Sequence, residues 1–414
     1  MQIKHSPRDF RVSELLDYKA DPAGEFYVHL LRKVKMDTQD ALSLISRLGR
    51  VPREDIAFAG LKDRQGETEQ WISIRGRRVE LQEPGLNLVF KGRTAQPIHS
   101  KQSRGNRFHV VLRGLSPATA RSIQTALPNL AKRGYVNYFD DQRFGCLRHG
   151  QGFPMRDVLA GRYEKALQRL IARPSPVAEG GDTKLKTILK ERWGDWEVCA
   201  RIARGPVYQP VLRHLVRKPS DFAGAIQQLN TRTRLIQSFA YQSYIWNRAV
   251  SSLLDELVPS KSQIHLESLM GALTSFRAPS DELAGVVGQL ATPLYAPDGE
   301  GGDPRFQSEV LRWLHSEQLT PEKCRRNTLP GMVWREEPRE LLVLPQNVYC
   351  NRPEDDGRLR GVKKVEIAFS LPRGVYATML IKHLIAEVGG ARGGSGVSSA
   401  PRENRSSRRG AGHE

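Results

Sequence analysis

The stretch that most constrains the fold covers residues 56–74, where two short apolar segments flank a loop bracketed by glycines. Residues 56–59 lead into the loop, and residues 71–74 leave it with the alternation of a half-buried strand. Gly60 and Gly66 allow the chain to turn sharply between these segments. The sequence therefore predicts a strand, a tight loop and a second strand in this order.

The tip of the loop carries a carboxylate between two cations, Asp63 between Lys62 and Arg64. Positive charge nearby favours the ionised form of an acid. An ionised Asp on a glycine-flanked loop can act as a nucleophile, although a surface ion pair is the commoner outcome. A metal-dependent nuclease or phosphotransferase that uses Asp63 with Glu67 and Glu69 is a third reading. From these residues alone the three readings stay open.

Three parts of the chain differ in their pattern. Residues 1–150 mix alternating strands with helices, residues 151–340 are mainly helical, and residues 341–388 return to a strand followed by a helix. Strands and helices mix without strict alternation, which predicts an α+β fold. Neither a G-x-G-x-x-G nor a P-loop sequence occurs, so no nucleotide cofactor is indicated.

Local signals predict individual elements. Asp37 is a good N-cap for a helix that Gly49 ends. Ser116 starts a helix towards Arg133, with Pro128 as a break or kink. Residues 103–107 are predicted as a basic turn, and the aromatic residues of segment 134–145 as core. Further strands are predicted at residues 7–12, 26–31, 86–90, 108–112 and 363–369, and further helices at 235–257 and 377–388.

The charge balance points to a polyanionic partner. Lys and Arg number 64 against 45 Asp and Glu, which gives +19 and favours nucleic acid. An anionic membrane surface is the alternative, but no basic helix with a large apolar face is evident, and no stretch is long and apolar enough to span a membrane. Residues 389–414 contribute +3 of this charge, are rich in Gly, Arg and Ser, and are predicted to be disordered.

The cysteines and the N-terminus suggest a location. Cys146, Cys199, Cys324 and Cys350 lie far apart without a C-x-x-C pair, so neither a zinc site nor a disulfide framework is indicated. The first residues lack the apolar centre of a signal peptide. We expect a cytoplasmic, monomeric protein without a metal or a membrane partner.

Five motifs together resemble one family. The sequence Gly60-Leu61-Lys62-Asp63-Arg64, followed by Thr68, Gln70 and Trp71, is similar to the signature loop of the TruD family of tRNA pseudouridine synthases. Four further motifs match that family in the same order and span most of the chain. They are Pro7-Arg8-Asp9-Phe10, Gly105-Asn106-Arg107-Phe108, Asn137-Tyr138-Phe139 with Gln142-Arg143-Phe144-Gly145, and Leu371-Pro372 with Tyr376-Ala377-Thr378.

The resemblance implies an isomerase of tRNA processing and RNA modification. Members of the family convert a uridine in tRNA, in bacterial relatives uridine 13 of the D-arm, into pseudouridine without a cofactor, metal or energy source. An aspartate at the position of Asp63 is their nucleophile, and attack at the sugar C1′ or at C6 of the ring both stay open. The alternative is a non-catalytic basic RNA-binding protein that keeps the fold, against which the presence of Asp63 argues.

The resemblance also implies site residues. Lys62 or Arg64 would hold Asp63 ionised, and Asn106 would meet the uracil edge or orient Asp63. Aromatic side chains would stack on the displaced base, although Phe108 is equally well explained as a core residue of a strand. The substrate-binding candidates are Phe10, Lys62, Asn106, Phe108, Arg143 and Tyr376, of which Arg143 would contact phosphate.

The resemblance further implies the architecture. Residues 1–150 and 341–388 should form one pseudouridine-synthase-like catalytic domain around a mixed, largely antiparallel sheet. Residues 151–340 should form an inserted, mainly helical TRUD domain, with a basic cleft for tRNA between the two domains. The tail at residues 389–414 should lie outside both.

Overall fold

The computed structural model of the protein describes residues 3, 5–62, 64, 66–178, 180–277, 281–358 and 360–389. Two of the predictions fall on other residues. Asp63, the predicted nucleophile, lies outside the described residues, and so does the predicted tail from residue 390 onward. Within the described ranges, no helix is long and apolar enough to cross a membrane.

The strands and helices of the described residues have the following bounds. The strands are β1 Phe10–Leu16, β2 Phe26–Val34, β3 Ile56–Phe58, β4 Glu67–Arg75, β5 Leu81–Glu83, β6 Leu86–Thr94, β7 Ser103–Leu115, β8 Tyr135–Val136, β9 Gln263–Leu266, β10 Leu273–Phe276, β11 Leu342–Val343, β12 Gln346–Cys350, β13 Glu354–Asp355 and β14 Lys363–Pro372. The helices are α1 Thr38–Gly49, α2 Pro117–Arg133, α3 Gly145–Arg148, α4 Pro154–Leu159, α5 Tyr163–Ile171, α6 Gly181–Glu191, α7 Trp196–Ile202, α8 Gln209–Arg217, α9 Phe222–Gln227, α10 Thr231–Leu257, α11 Asp281–Gln289, α12 Pro304–Ser316, α13 Pro321–Arg326 and α14 Ala377–Gly389.

The chain forms two compact units. The first, which we call the sheet unit, contains the residues up to Gly134, the segment Leu344–Ala377 and the end of α14. The second, the helical unit, contains Tyr135–Val343 and Thr378–Glu387. The helical unit thus begins at Tyr135, before residue 151, where the sequence pattern becomes mainly helical. The predicted domain boundaries at 150 and 340, and the predicted cleft, stay predictions.

The sheet unit is built on one large sheet. Its strands follow the order β12, β14, β7, β1, β4, β2, β6 and β5, with β13 paired to β14 and β3 paired to β4. The β1–β4 pair is parallel, and the other pairs are antiparallel. Helix α1 packs on this sheet through Ala41, Leu42 and Ile45, which are fully buried. The predicted α+β class with a largely antiparallel sheet is confirmed.

Local signals explain several bounds. The Asp37 carboxylate accepts a hydrogen bond from Gln39 N at 2.7 Å, which caps α1 as predicted, and Arg50 follows Gly49 in the left-handed region. Helix α2 continues through Pro128 as one helix. The predicted basic turn at residues 103–107 is wrong, because these residues pair with β1 and β14 as the start of β7.

The helical unit is organised around α10. The side chain of Asn247 on this helix accepts from Phe139 N at 2.9 Å and donates to Phe139 O at 2.8 Å. The hydroxyl of Tyr138 donates to Thr274 O at 2.5 Å. These contacts hold the aromatic segment after β8 in the helical unit, and its buried rings confirm the prediction of a core role.

Candidate active site

One face of the sheet gathers most of the residues predicted for the site. Alternate residues of a strand point to the same face, so Phe10, Val12 and Glu14 of β1 share one side. Glu14 lies directly opposite Asn106 of β7, and Val12 lies opposite Phe108. Three of the five short motifs of the sequence therefore meet here, since the loop that follows β3 also ends at this face.

Asn106 presents an acceptor at this face. Its Oδ1 is buried and has no hydrogen-bond partner among the described residues. Buried polar atoms are nearly always paired with protein or water, so a free amide oxygen is the kind of group that a ligand satisfies. The preceding Gly105 has a φ of +152° and packs against the carbonyl of Leu371, where a Cβ would overlap that group. A glycine is therefore required to bring β7 and β14 together beside Asn106.

The entry to the predicted catalytic loop is fixed at Lys62. Its backbone N–H donates to Thr38 Oγ1 at 3.0 Å, and its carbonyl accepts from Lys33 Nζ at 3.3 Å. The Thr38 hydroxyl donates to Gln70 Oε1 at 3.0 Å. Thr38 and Gln70 are fully buried, and Lys33 is 1% exposed. Polar groups inside the fold therefore hold the residue that precedes Asp63.

The side chain of Lys62 forms a second attachment. Its Nζ lies 2.5 Å from Glu14 Oε1, and the two side chains are 8% and 0% exposed. The other carboxylate oxygen of Glu14 accepts from Trp71 N at 3.0 Å, and the Glu14 carbonyl accepts from Trp71 Nε1 at 3.2 Å. The loop, β1 and β4 are thus joined through one buried carboxylate.

The exit from the loop is fixed at Gly66. Its carbonyl accepts from Lys35 N at 3.3 Å. A Cβ at this position would lie 2.6 Å from the carbonyl oxygen of Phe10, so the chain passes too close to β1 for any larger residue. Lys62 and Gly66, on either side of the predicted nucleophile, are therefore both attached to the sheet unit.

The buried ion pair between Glu14 and Lys62 changes the interpretation of Lys62. We expected Lys62 or Arg64 to hold Asp63 ionised and Lys62 to meet the substrate. The Lys62 ammonium instead has a carboxylate of its own, whereas Arg64 is exposed. A direct contact between Lys62 and RNA would require this pair to open, and that role stays a prediction.

The aromatic candidates are more enclosed than a stacking surface requires. Phe10 and Phe108 are 3% and 7% exposed. Phe108 stacks on Phe369 with centroids 5.5 Å apart and contacts the edge of Phe10 at 6.1 Å. This arrangement fits the alternative of a core strand residue, and base stacking by either ring stays a prediction. Tyr376 is partly exposed in the turn between β14 and α14.

Arg143 belongs to the helical unit. It lies in a 3₁₀ turn, Asp141–Phe144, with its guanidinium 5.7 Å from the ring centre of Phe139 and 5.5 Å from that of Phe239. Its Nε donates to Ser243 Oγ at 3.4 Å. Two rings and a hydroxyl thus orient the guanidinium, while the predicted phosphate contact stays untested.

The strand geometry separates Glu69 from the site. Thr68 and Gln70 point to the buried face of β4, so Glu69 points to the other face. There it accepts from Ser13 Oγ at 2.7 Å and pairs with Arg32 Nε at 2.6 Å. This position disfavours the reading in which Glu69 joins Asp63 as a metal ligand.

Sequence reasoning missed three residues of this site, namely Glu14, Lys33 and Thr38. Two of them carry a signal that could have been read. Glu14 follows Phe10 and Val12 at every second position of β1, and Lys33 follows Leu31 in the same way in β2. A charge in the apolar register of a strand indicates a buried, paired group. Thr38, at the first turn of α1, has no such signal.

Comparisons with known proteins show the family of the chain. The family model of tRNA pseudouridine synthase D (TruD) matches residues 1–384. The protein named "Probable tRNA pseudouridine synthase D 2" of Methanocaldococcus jannaschii is 30% identical over 392 residues, which cover 92% of this chain and 91% of that one. The tRNA pseudouridine synthase D of Aquifex aeolicus is 26% identical over 392 residues, covering 93% and 98%.

A solved structure has the same fold. The crystal structure of the "Putative tRNA pseudouridine synthase D (TruD)" from Methanosarcina mazei superposes with a TM-score of 0.71 over 94% of this chain and 93% of that one, at 21% identity. The match of the family model over residues 1–384 places the chain among the pseudouridine synthases, which are isomerases. The chain belongs to the TruD family, the tRNA pseudouridine synthase D proteins.

Proposed function

We propose that this protein isomerises one uridine of tRNA, at position 13 of the D-arm, to pseudouridine, with Asp63 as the nucleophile. The observation that carries the proposal is the family match over residues 1–384, which includes the loop around Asp63. The proposal includes action as a monomer in the cytoplasm, on tRNA and without a metal.

The reaction needs a fixed, ionised carboxylate and a base that has left its stack. The Asp63 carboxylate attacks the uridine at C1′ or C6 and the N1–C1′ bond breaks. A bond then forms between C5 and C1′, and the bond to Asp63 breaks again, which frees the carboxylate. The proton on C5 is lost and N1 gains one, so the product is an isomer of the substrate. The target base must leave its stack in the tRNA to reach the carboxylate, and this unstacking costs roughly a few kcal/mol.

The neighbouring residues have separate roles in this proposal. Lys33, Thr38 and the Glu14–Lys62 pair hold the backbone before Asp63, which supports a preorganised nucleophile. Asn106 accepts a hydrogen bond from N3–H of the uracil through its buried Oδ1. Tyr376, partly exposed, contacts the displaced base, and Arg143 contacts a phosphate of the tRNA.

The test compares two substitutions that remove the same charge. Asp63→Asn should leave tRNA binding within about twofold and lower pseudouridine formation by more than about a thousandfold, because the amide lacks a nucleophilic oxygen anion. Asp40→Asn, on the exposed side of α1, is the matched control and should retain activity. Single-turnover rates on an unmodified tRNA transcript and on its uridine-13-to-cytidine variant give both the rate and the position.

The possible results separate the readings. Near wild-type turnover by Asp63→Asn would end the assignment of the nucleophile. Equal activity on the cytidine-13 transcript would end the assignment of the position. Tight binding by the wild-type protein, with no product from any cellular tRNA, would favour the non-catalytic RNA-binding protein.

A further inference from the structure

The helical unit has a cationic surface that none of the site residues shares. Residues 198–220 of the sequence contain five Lys or Arg residues and no Asp or Glu. All five are exposed, and they lie on α7, on α8 or next to these helices. We call this set the α7–α8 strip, and it consists of Arg201, Arg204, Arg213, Arg217 and Lys218.

Contacts between the two helices fix the geometry of the strip. The Gln209 side chain donates from Nε2 to the carbonyl of Ala200 at 2.6 Å and to that of Ala203 at 2.8 Å. The start of α8 therefore lies against the end of α7. Arg213 and Arg217 follow one turn apart on the same face of α8, about 6 Å along its axis.

The acid that follows the strip, Asp221, forms its ion pair with His214. Within the ranges that the structure describes, none of the five forms an ion pair, whereas Arg75 pairs with Glu25 at 2.6 Å and Arg78 with Glu80 at 3.0 Å. Arg217 instead directs Nε to a backbone carbonyl, that of Arg213. A row of positive charges without ion-pair partners attracts polyanions and raises their association rate.

The choice of partner follows from the other face of α8. Val211, Leu212 and Leu215 are fully buried in the helical unit, whereas Val216 is 40% exposed, so most of the apolar side of the helix is already covered. Binding to a membrane surface requires a free apolar face. The face that remains displays Arg213 and Arg217, whose guanidinium groups match phosphate oxygens.

We propose that the α7–α8 strip binds phosphates of the RNA backbone and supplies affinity for whole tRNA without taking part in the isomerisation. The identity of the RNA as tRNA rests on the proposed function, whereas the contact with an RNA backbone does not. Each phosphate contact releases condensed counter-ions, so it appears as a contribution to the salt dependence of binding.

The experiment removes two charges from the strip and two from elsewhere. Arg213→Gln/Arg217→Gln is compared with Arg75→Gln/Arg78→Gln, whose arginines are similarly exposed but already paired. Binding of a fluorescent, unmodified tRNA transcript is measured by anisotropy at several potassium chloride concentrations. The slope of log K against log salt should become shallower by about 1.4 to 1.8 for the strip variant.

The expected effects are specific to the strip. The strip variant should bind about tenfold more weakly near physiological salt, with an unchanged single-turnover rate at saturating tRNA, and the paired control should change by less than about twofold. Arg213→Lys/Arg217→Lys keeps both charges and should restore most of the affinity. Thermal melts establish that each variant is folded.

Several outcomes would overturn the proposal. Equal changes in slope for the strip variant and its control would show that only net charge matters. A strip-dependent loss of binding to phosphatidylserine vesicles, with tRNA binding unchanged, would assign the surface to a membrane. Strip-dependent RNA binding by a wild-type protein that forms no pseudouridine would instead refute the proposed function and leave the strip assignment intact.

Discussion

Replacing Glu14 by Gln removes the counter-charge of a buried lysine while keeping the shape of the side chain. The Glu14 carboxylate is fully buried, and Lys62 is 8% exposed, with 2.5 Å between the paired atoms. The amide oxygen of Gln can still accept the hydrogen bond that Trp71 N donates. The substitution therefore isolates the effect of the charge.

The magnitude follows from burial. Removing one partner of a buried ion pair lowers the stability of a protein by about 3 to 5 kcal/mol, because the remaining charge stays buried without a counter-charge. We expect Glu14→Gln to lower the free energy of unfolding by this amount. Glu25→Gln removes a partner of Arg75 from a pair that is 53% and 58% exposed, and such pairs contribute about 0 to 1 kcal/mol.

The same substitution should slow the reaction, because Lys62 precedes the proposed nucleophile. A shift of about 1 Å in a reacting group can cost about a hundredfold in rate. Urea unfolding followed by tryptophan fluorescence, together with single-turnover pseudouridine formation, measures both effects. The double variant Glu14→Gln/Lys62→Met should recover part of the stability, since no buried charge is then left unpaired.

Two results would refute this reasoning. The first is a Glu14→Gln variant that unfolds at the same urea concentration as Glu25→Gln. The second is a double variant whose loss of stability equals the sum of the two single losses, which would mean that Glu14 and Lys62 do not interact.

Three further predictions concern the sheet unit. Burial lowers the pKa of His29 to about 4 from 6.5, so the stability that depends on its neutral form is complete above pH 6.5 and is lost as the pH falls towards 4. Urea titrations at pH 7 and pH 4 should show that the free energy of unfolding falls by about 3 kcal/mol more for the wild type than for His29→Gln. Equal decreases for the two proteins would contradict this prediction. In the same titrations, Gly105→Ala should lower the free energy of unfolding by about 2 kcal/mol or more. Gly145→Ala is the control, because Gly145 has open space around it, and it should leave the free energy of unfolding nearly unchanged. Equal effects of the two substitutions would exclude steric overlap with Leu371. Asn106→Ala should lower kcat/KM about tenfold through loss of one hydrogen bond to the substrate, and its free energy of unfolding should be nearly that of the wild type. A purely structural role of Asn106 would instead lower the free energy of unfolding and leave kcat/KM of the folded protein nearly unchanged.

Much of the fold could be predicted because its signals are local. The cap at Asp37, the stop at Gly49 and the alternation around Trp71 depend on neighbouring residues only. The basic segment at residues 103–107 was predicted wrongly for the same reason. Its Gly, Asn and Arg residues favour a turn locally, and pairing with strands on both sides overrides that preference.

The site could be predicted only in part. Motif residues such as Asn106 were found from their resemblance to a family, whereas the partner of Lys62 was not. Glu14 and Lys62 are far apart in sequence, and they meet only because β1 pairs in parallel with β4. Strand register is a property of the folded sheet, so a single sequence does not reveal which acid a given lysine will meet.

The position of β14 has a consequence for biosynthesis. This strand lies between β7 and β12 in the sheet, yet about 250 residues separate the end of β7 from its start. At about 5 to 20 residues per second, a ribosome needs roughly 10 to 50 s to cover that distance.

During this interval the nascent sheet has an unpaired edge at β7, and open strand edges promote aggregation. Helix α14 then completes both units, because Ala377 belongs to the sheet unit and Thr378–Glu387 belongs to the helical unit. We therefore expect the newly made protein to depend on chaperones that cover an exposed edge until β14 and α14 emerge. Truncation before β14 should abolish folding of both units.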